Sequence, residues 1–365
     1  MMSRWLLTLL LVSASVQIQA QTTVAPEVLK ALQSAQSEQQ SGRLDSAQQK
    51  LANLSLKDGT LEQALVWRSQ GYIAWAQGNT AKAVGLIEKA LASKKLDTNQ
   101  TKEDQLSLGK LYFIQKDYQK AVNYLANAAE TDEILQMKIQ SWQRLGRYDQ
   151  ALPLAERYLA KQPSIDDQWL QFMIGANIEL KRYKDAETWQ RKLLLRHETD
   201  VRQWRQLAGI QQMAGSHVRA MATLRAAYSR GLKFSENDLD NLVAMAAASD
   251  QPWQGARLLE NMLQTGLLSK SLSREERLAQ LYWQARERKQ AAQAYGQLAK
   301  RTGKAQHWMT VAQLEMQQNN WQQGLTALDS AERAGADRQR VKQWREWAQT
   351  SMAIDSNKQK QVVSR

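Results

Sequence analysis

The sequence predicts an all-α solenoid of about nine stacked helix pairs, closed by a C-terminal capping helix. Three observations carry this. A small residue recurs about every 35 positions along the chain. A turn and a bulky residue stand just ahead of nearly every copy. The composition, with only four prolines, no cysteine and abundant Ala, Leu, Gln, Lys and Arg, favours helix over sheet.

The small residue comes first. The clear copies are Gly42-Arg43-Leu44 with Ala47, Gly78-Asn79-Thr80 with Ala83, Lys116-Asp117-Tyr118 with Ala121, and Gly146-Arg147-Tyr148 with Ala151. Lys181-Arg182-Tyr183 with Ala186 and Gly215-Ser216-His217 with Ala220 follow. Less regular copies centre on Ala256 and Ala291, and the ninth is Asn319-Asn320-Trp321 with Gly324. The spacings are 36, 38, 30, 35, 34, 36, 35 and 33 residues. A self-similar period of this size marks a repeat architecture. The small residue belongs where two helices cross, because only a short side chain lets their axes approach. The turn residue ends the first helix in a left-handed conformation, which Gly adopts without a Cβ penalty.

Helix starts and stops fall in phase with this period. Thr60, Thr101, Ser164 and Ser273 each precede an acidic residue or Gln by two or three positions, so each is expected to cap the first helix of a pair. Pro163 follows the second helix of the fourth pair, where a helix must stop. Val341 to Ala353, with Trp344 and Trp347, reads as the capping helix.

Trp67, Gly71, Gly78, Ala83 and Ala90, and again Gly109, Tyr112, Tyr118, Ala121 and Ala128, resemble the tetratricopeptide repeat (TPR) consensus. The likeness spans roughly residues 26–335 and departs from the pattern at the turns before Ala256 and Ala291. It implies a right-handed superhelix with a concave face, and a non-catalytic protein-interaction scaffold.

The ends of the chain carry other signals. Arg4, the apolar run Trp5 to Val12 and the small residue at Ala20 read as a secretory signal peptide cleaved after Ala20. The expected organisation is therefore a signal peptide at 1–20, a repeat solenoid at 21–335, a capping helix at 336–354 and a disordered basic tail at 355–365. An exported chain without cysteine holds itself together by packing alone. The expected compartment is a Gram-negative periplasm, with full secretion the alternative, and no transmembrane span remains after cleavage. The net charge of +13, or +12 without Arg4, suits acidic partners; nucleic acid is not expected outside the cytoplasm.

No catalytic, cofactor or metal constellation is expected. No pair among His197, His217 and His307 has ligand spacing, and cysteine is missing. His217 takes the bulky turn position and is expected to pack there, while His197 and His307 are expected in solvent. Of the tryptophans, Trp67, Trp308 and Trp321 fall at repeat positions and are expected in the core; Trp75, Trp169, Trp189, Trp204, Trp253 and Trp283 fall outside those positions, and packing in the core or between repeats is expected for most of them. A helical toroid of the lytic-transglycosylase kind would need a catalytic Glu in a separate globular domain, and the repeats leave no room for one.

In tetratricopeptide proteins the first helix of each pair lines the concave groove. By position, the resemblance puts Arg68, Tyr72, Trp75, Lys110, Phe113, Arg144, Arg202 and Arg205 there. That would make a basic groove with interleaved aromatics, suited to acidic segments of envelope proteins or to a C-terminal carboxylate. The Lys/Asn arrangement of the chaperone-binding carboxylate clamp is not matched. Val24 to Gln33, running into Gly42-Arg43-Leu44, resembles the periplasmic tetratricopeptide component encoded with some marine gammaproteobacterial TonB–ExbB–ExbD systems. That resemblance implies a helper in TonB-dependent uptake of iron complexes. Outer-membrane assembly, polysaccharide export and cell-wall synthesis are the alternative envelope tasks.

Overall fold

The computed structural model describes residues 24–363, with side chains through residue 354. The signal peptide expected at 1–20 lies outside the described residues. These fold as nineteen α-helices with no strand among them. They separate into two compact units, one ending at Asp166 and one beginning at Asp167.

The first unit holds four helix pairs: α1 (Pro26–Gln40) with α2 (Leu44–Ala52), α3 (Leu61–Ala76) with α4 (Thr80–Ala92), α5 (Thr98–Ile114) with α6 (Tyr118–Tyr124), and α7 (Asp132–Arg144) with α8 (Tyr148–Leu159). The second unit holds five: α9 (Asp167–Glu179) with α10 (Tyr183–Arg196), α11 (Val201–Met213) with α12 (His217–Ser229), α13 (Glu236–Ala248) with α14 (Pro252–Gln264), α15 (Leu272–Gln284) with α16 (Arg288–Thr302), and α17 (Ala305–Met316) with α18 (Trp321–Arg333). It ends in α19 (Arg338–Val363). Within each unit every helix packs on the next in sequence. Nine pairs and a terminal helix are what the repeat predicts. The terminal helix α19 runs to Val363, past the boundary at 354 expected for the capping helix. No Gly or Pro interrupts residues 338–363, so nothing in the chain stops the helix earlier.

The turn within each pair is built the same way nine times. Gly42, Gly78, Lys116, Gly146, Lys181, Gly215, Asp250, Arg286 and Asn319 all have left-handed backbones, with φ between 56° and 78°. The next residue's N–H donates to the carbonyl five positions back, as in Asn79 to Ala74, Arg147 to Trp142 and Glu287 to Tyr282. That bond satisfies a carbonyl left open at the helix end. The two irregular turns therefore use the same geometry, with Asp250 and Arg286 accepting a conformation that glycine takes more cheaply.

Five residues after each left-handed position stands a small one. Ala47, Ala83, Ala121, Ala151, Ala186, Ala220 and Ala291 are fully buried, and Gly324 is also buried. In α14 this register selects Gly255, not Ala256: a Cβ there would meet the Ala246 Cβ and a Leu281 methyl at 3.4 Å. Ala256 is buried one position later. On the first helices, Gly71 and Gly109 serve the same close approach. A Cβ on Gly109 would lie 2.6 Å from Leu125, and one on Gly71 would lie 2.7 Å from Ile87.

The caps correct three expectations, the first being Ser164, which stands three residues ahead of the start of α9 at Asp167. Thr60 does cap α3, accepting from the Gln63 N–H. However, α5 is capped by Asp97, which exchanges bonds with Gln100 in a full capping box, so Thr101 lies inside the helix. Likewise Ser271, not Ser273, caps α15. In both places an earlier Asp or Ser reaches the free N–H groups first.

Candidate functional site

Arg68, Tyr72 and Trp75 share one stretch of α3, and the fold brings them together. Arg68 lies 5.1 Å over the Tyr72 ring, and the Tyr72 and Trp75 rings stack at 6.4 Å. Arg68 is not an open groove cation, though. It is buried, its Nε donates to Asp104 Oδ1 at 2.8 Å, and its Nη2 donates to Glu103 on α5. The Tyr72 hydroxyl donates to the same Asp104 oxygen at 2.7 Å and lies 3.1 Å from Ser107 Oγ. Burial drives the Asp104 carboxyl above its usual range despite Arg68, and drives the Tyr72 hydroxyl up as well.

The other candidates show the same habit. Lys110 on α5 donates to Glu133 on α7 at 2.9 Å. Arg205 on α11 donates to Asp238 on α13 at 2.9 Å. Arg202 is exposed and folded back on Asp200, its own helix cap. Phe113 is half-buried and meets Tyr118 edge-on at 6.0 Å. Arg144 is exposed. Arg68 to Arg144 belong to the first unit, and Arg202 and Arg205 to the second.

Arg68, Lys110 and Arg205 thus form ties between neighbouring first helices, whereas Phe113, Arg144 and Arg202 do not. Arg274 on α15, which the sequence reading did not single out, belongs to this set: it reaches back to Asp240 and Glu236 on α13. A signal for it existed. Arg68–Asp104, Arg205–Asp238 and Arg274–Asp240 are separated by 36, 33 and 34 residues, one repeat period each. Opposite charges one period apart land side by side on successive first helices. Among the candidates Arg144, Arg202 and Arg205 are exposed, while Tyr72, Trp75, Lys110 and Phe113 are half-buried.

The second unit also has a buried polar centre on its second helices. Glu187 on α10 accepts from Arg191, from Arg219 on α12 and from Gln211 on α11. These donors hold its carboxyl below the usual range in spite of burial. Two of the three histidines depart from expectation. His217 is exposed, because the edge it sits on faces solvent. His307 is half-buried against Tyr295, with Nδ1 3.0 Å from Thr302 Oγ1, and burial lowers its pKa. His197 is exposed as expected and is bonded to Asp167 at 2.6 Å. Trp67, Trp308 and Trp321 are half-buried, while Trp253 and Trp283 are exposed. Among the described residues, no group of three His, Asp or Glu side chains is placed to hold a metal ion, and no helix is long and apolar enough to cross a membrane.

The family model of the tetratricopeptide repeat matches residues 32–98, from α1 through α4 and into α5. That stretch, about a fifth of the chain, is similar to the tetratricopeptide repeat. No curated protein matches it. Among solved structures, a tetratricopeptide repeat protein from Parabacteroides merdae ATCC 43184 is 15% identical, with 79% of this chain and 99% of that one covered, at a TM-score of 0.32. The P58(IPK) TPR domain is 12% identical, with 90% and 99% covered, at a TM-score of 0.25. The Naa15/Naa10 structure with HypK-THB is 13% identical, with 86% and 59% covered, at a TM-score of 0.33. Within each unit, the ion pairs between first helices hold neighbouring helix pairs in one register.

Proposed function

We propose that the chain is a non-catalytic interaction scaffold of the cell envelope and an accessory component of TonB-dependent energy transduction. The observation that carries the scaffold role is the repeat itself: nine pairs with one turn geometry, of which residues 32–98 match the tetratricopeptide model. Stacked pairs offer an extended surface with little room for chemistry. The envelope assignment rests on the leader-like residues 1–20 and on the resemblance of residues 24–33. In this reading the chain is periplasmic and takes segments of envelope proteins on the first helices of each unit, beside Trp75, Phe113 and Arg144 in the first and Arg202 in the second. The ion-paired Arg68, Lys110 and Arg205 fix the spacing of those helices.

Co-purification with TonB, ExbB and ExbD tests this reading. Detergent-solubilised envelopes containing tagged chain are expected to yield those proteins, and Arg144→Glu with Arg202→Glu is expected to cut the yield severalfold. Recovery of the chain without any of the three, together with unchanged uptake of iron complexes in cells lacking it, would remove the TonB assignment.

A further inference from the structure

The positive charge of this chain is not where a first-helix groove would use it. Residues 1–166 carry 19 basic and 16 acidic side chains; residues 167–365 carry 30 and 20. Within the second unit the split is sharper. The first helices α9, α11, α13, α15 and α17 hold 4 basic and 8 acidic residues, whereas the second helices α10, α12, α14, α16 and α18 hold 12 and 5. The two sets are separate rows. Arg219 on α12 reaches Glu187 on α10, and Arg225 on α12 reaches Gln254 on α14, so α10, α12 and α14 are neighbours. Arg205 on α11 and Arg274 on α15 both reach α13, so those first helices are neighbours too.

The edge formed by the turns within each pair adds apolar surface to this charge. Met213 at the end of α11 is 47% exposed, Val218 and Trp253 near the starts of α12 and α14 are 52% and 51%, and Trp283 near the end of α15 is 51%. The register is shared. Three residues after the left-handed turn, successive second helices present Lys184, Val218, Trp253 and Lys289, all exposed. Neither lysine has a carboxylate partner among the described residues. A half-exposed tryptophan in water is costly, and two of them beside exposed Met and Val, under a basic row of helices, need a surface that is anionic and apolar at once.

We infer that this edge of the second unit docks on an anionic lipid bilayer, Trp253 and Trp283 entering the headgroup layer and Lys184 and Lys289 meeting the lipid phosphates. Tryptophan prefers the membrane–water interface, and lysine near an anionic surface adds about 1 kcal/mol each. A soluble anion without apolar surface would meet the lysines but leave the apolar row in water, whereas a bilayer interface offers phosphate and apolar surface together. This goes beyond the scaffold reading and does not depend on which protein the first helices bind.

Co-sedimentation with vesicles tests it. The probes are phosphatidylcholine vesicles with and without a quarter of phosphatidylglycerol. The full chain and a chain beginning at Gln21 are compared, so that any affinity of the first twenty residues is measured separately. Both are expected to bind the anionic vesicles and to bind neutral ones at least tenfold more weakly. Trp253→Ala with Trp283→Ala, and separately Lys184→Glu with Lys289→Glu, are each expected to weaken binding of the Gln21 chain about tenfold at unchanged Tm. Lys57→Glu with Lys95→Glu, the same charge change on exposed residues of the first unit, is expected to leave binding within about twofold. Equal binding to both kinds of vesicle, or no effect of the edge variants, overturns the inference. So does binding to soluble polyglutamate with none to vesicles, which would assign the edge to an acidic protein.

Discussion

Arg68 shows how a residue's neighbours decide its role. An arginine on the first helix of a repeat reads as a groove cation, yet here its guanidinium is shut between α3 and α5 with Asp104 and Glu103. Asp104 Oδ1 takes both Arg68 and Tyr72, while its Oδ2 has no partner in the described structure. Removing the cation would leave a buried carboxylate with one hydroxyl to answer it. Arg68→Ala is therefore expected to destabilise the first unit by about 3 kcal/mol, the cost of breaking a buried pair from one side. Arg144→Ala, on the exposed face of α7, is expected to change stability by no more than about 0.5 kcal/mol. Urea denaturation followed by circular dichroism checks both; equal losses would mean that Arg68 is solvated. The pairing was hidden in the sequence because Arg68 and Asp104 lie 36 residues apart, and only the period of the fold says that they meet.

At the scale of the element, the turns were the most legible feature and also the place where composition misled. Glycine announces a left-handed residue at Gly42, Gly78, Gly146 and Gly215, and asparagine does so at Asn319, but Lys116, Lys181, Asp250 and Arg286 adopt the same backbone without announcing it. The hydrogen bonds of the turn and the packing of the helices it joins hold them there. Arg286→Gly is expected to stabilise the second unit by about 0.5 kcal/mol, since the relief of left-handed strain exceeds the extra chain entropy of glycine. Gly146→Ala is expected to cost about 1 kcal/mol for the converse reason. Thermal unfolding of the two variants checks the pair of signs; a stabilising Gly146→Ala would contradict the turn geometry. The same bookkeeping by turn position, applied to α14, is what moves the crossing residue from Ala256 to Gly255. Residue spacing alone could not separate two adjacent small side chains. The caps at Asp97 and Ser271 were missed for a similar reason, since a helix can begin at any of several nearby cap-forming residues and only the backbone shows which one is used.

At the scale of the molecule, the repeat period fixed the number of helices but not how charge is shared among them. The second unit carries most of the excess positive charge, and carries it on its second helices. A scaffold arranged this way would separate its tasks, with first helices tied together for protein partners and second helices facing an anionic surface. Both tasks require that stacked pairs act as neighbours, each stabilised chiefly by the pair before and after it. The small buried residue of each second helix is the contact that closes each pair, on which the stacked units rest. Hydrogen exchange resolved by peptide, comparing the parent with Ala220→Trp, tests this most directly. The account predicts that protection falls in α11 and α12, where the enlarged side chain forces the crossing apart, and to a lesser degree in α10 and α13, while α1–α4 keep theirs. Unchanged protection across α11 and α12 would contradict it, because a tryptophan tolerated at that position could not be standing between two packed helices.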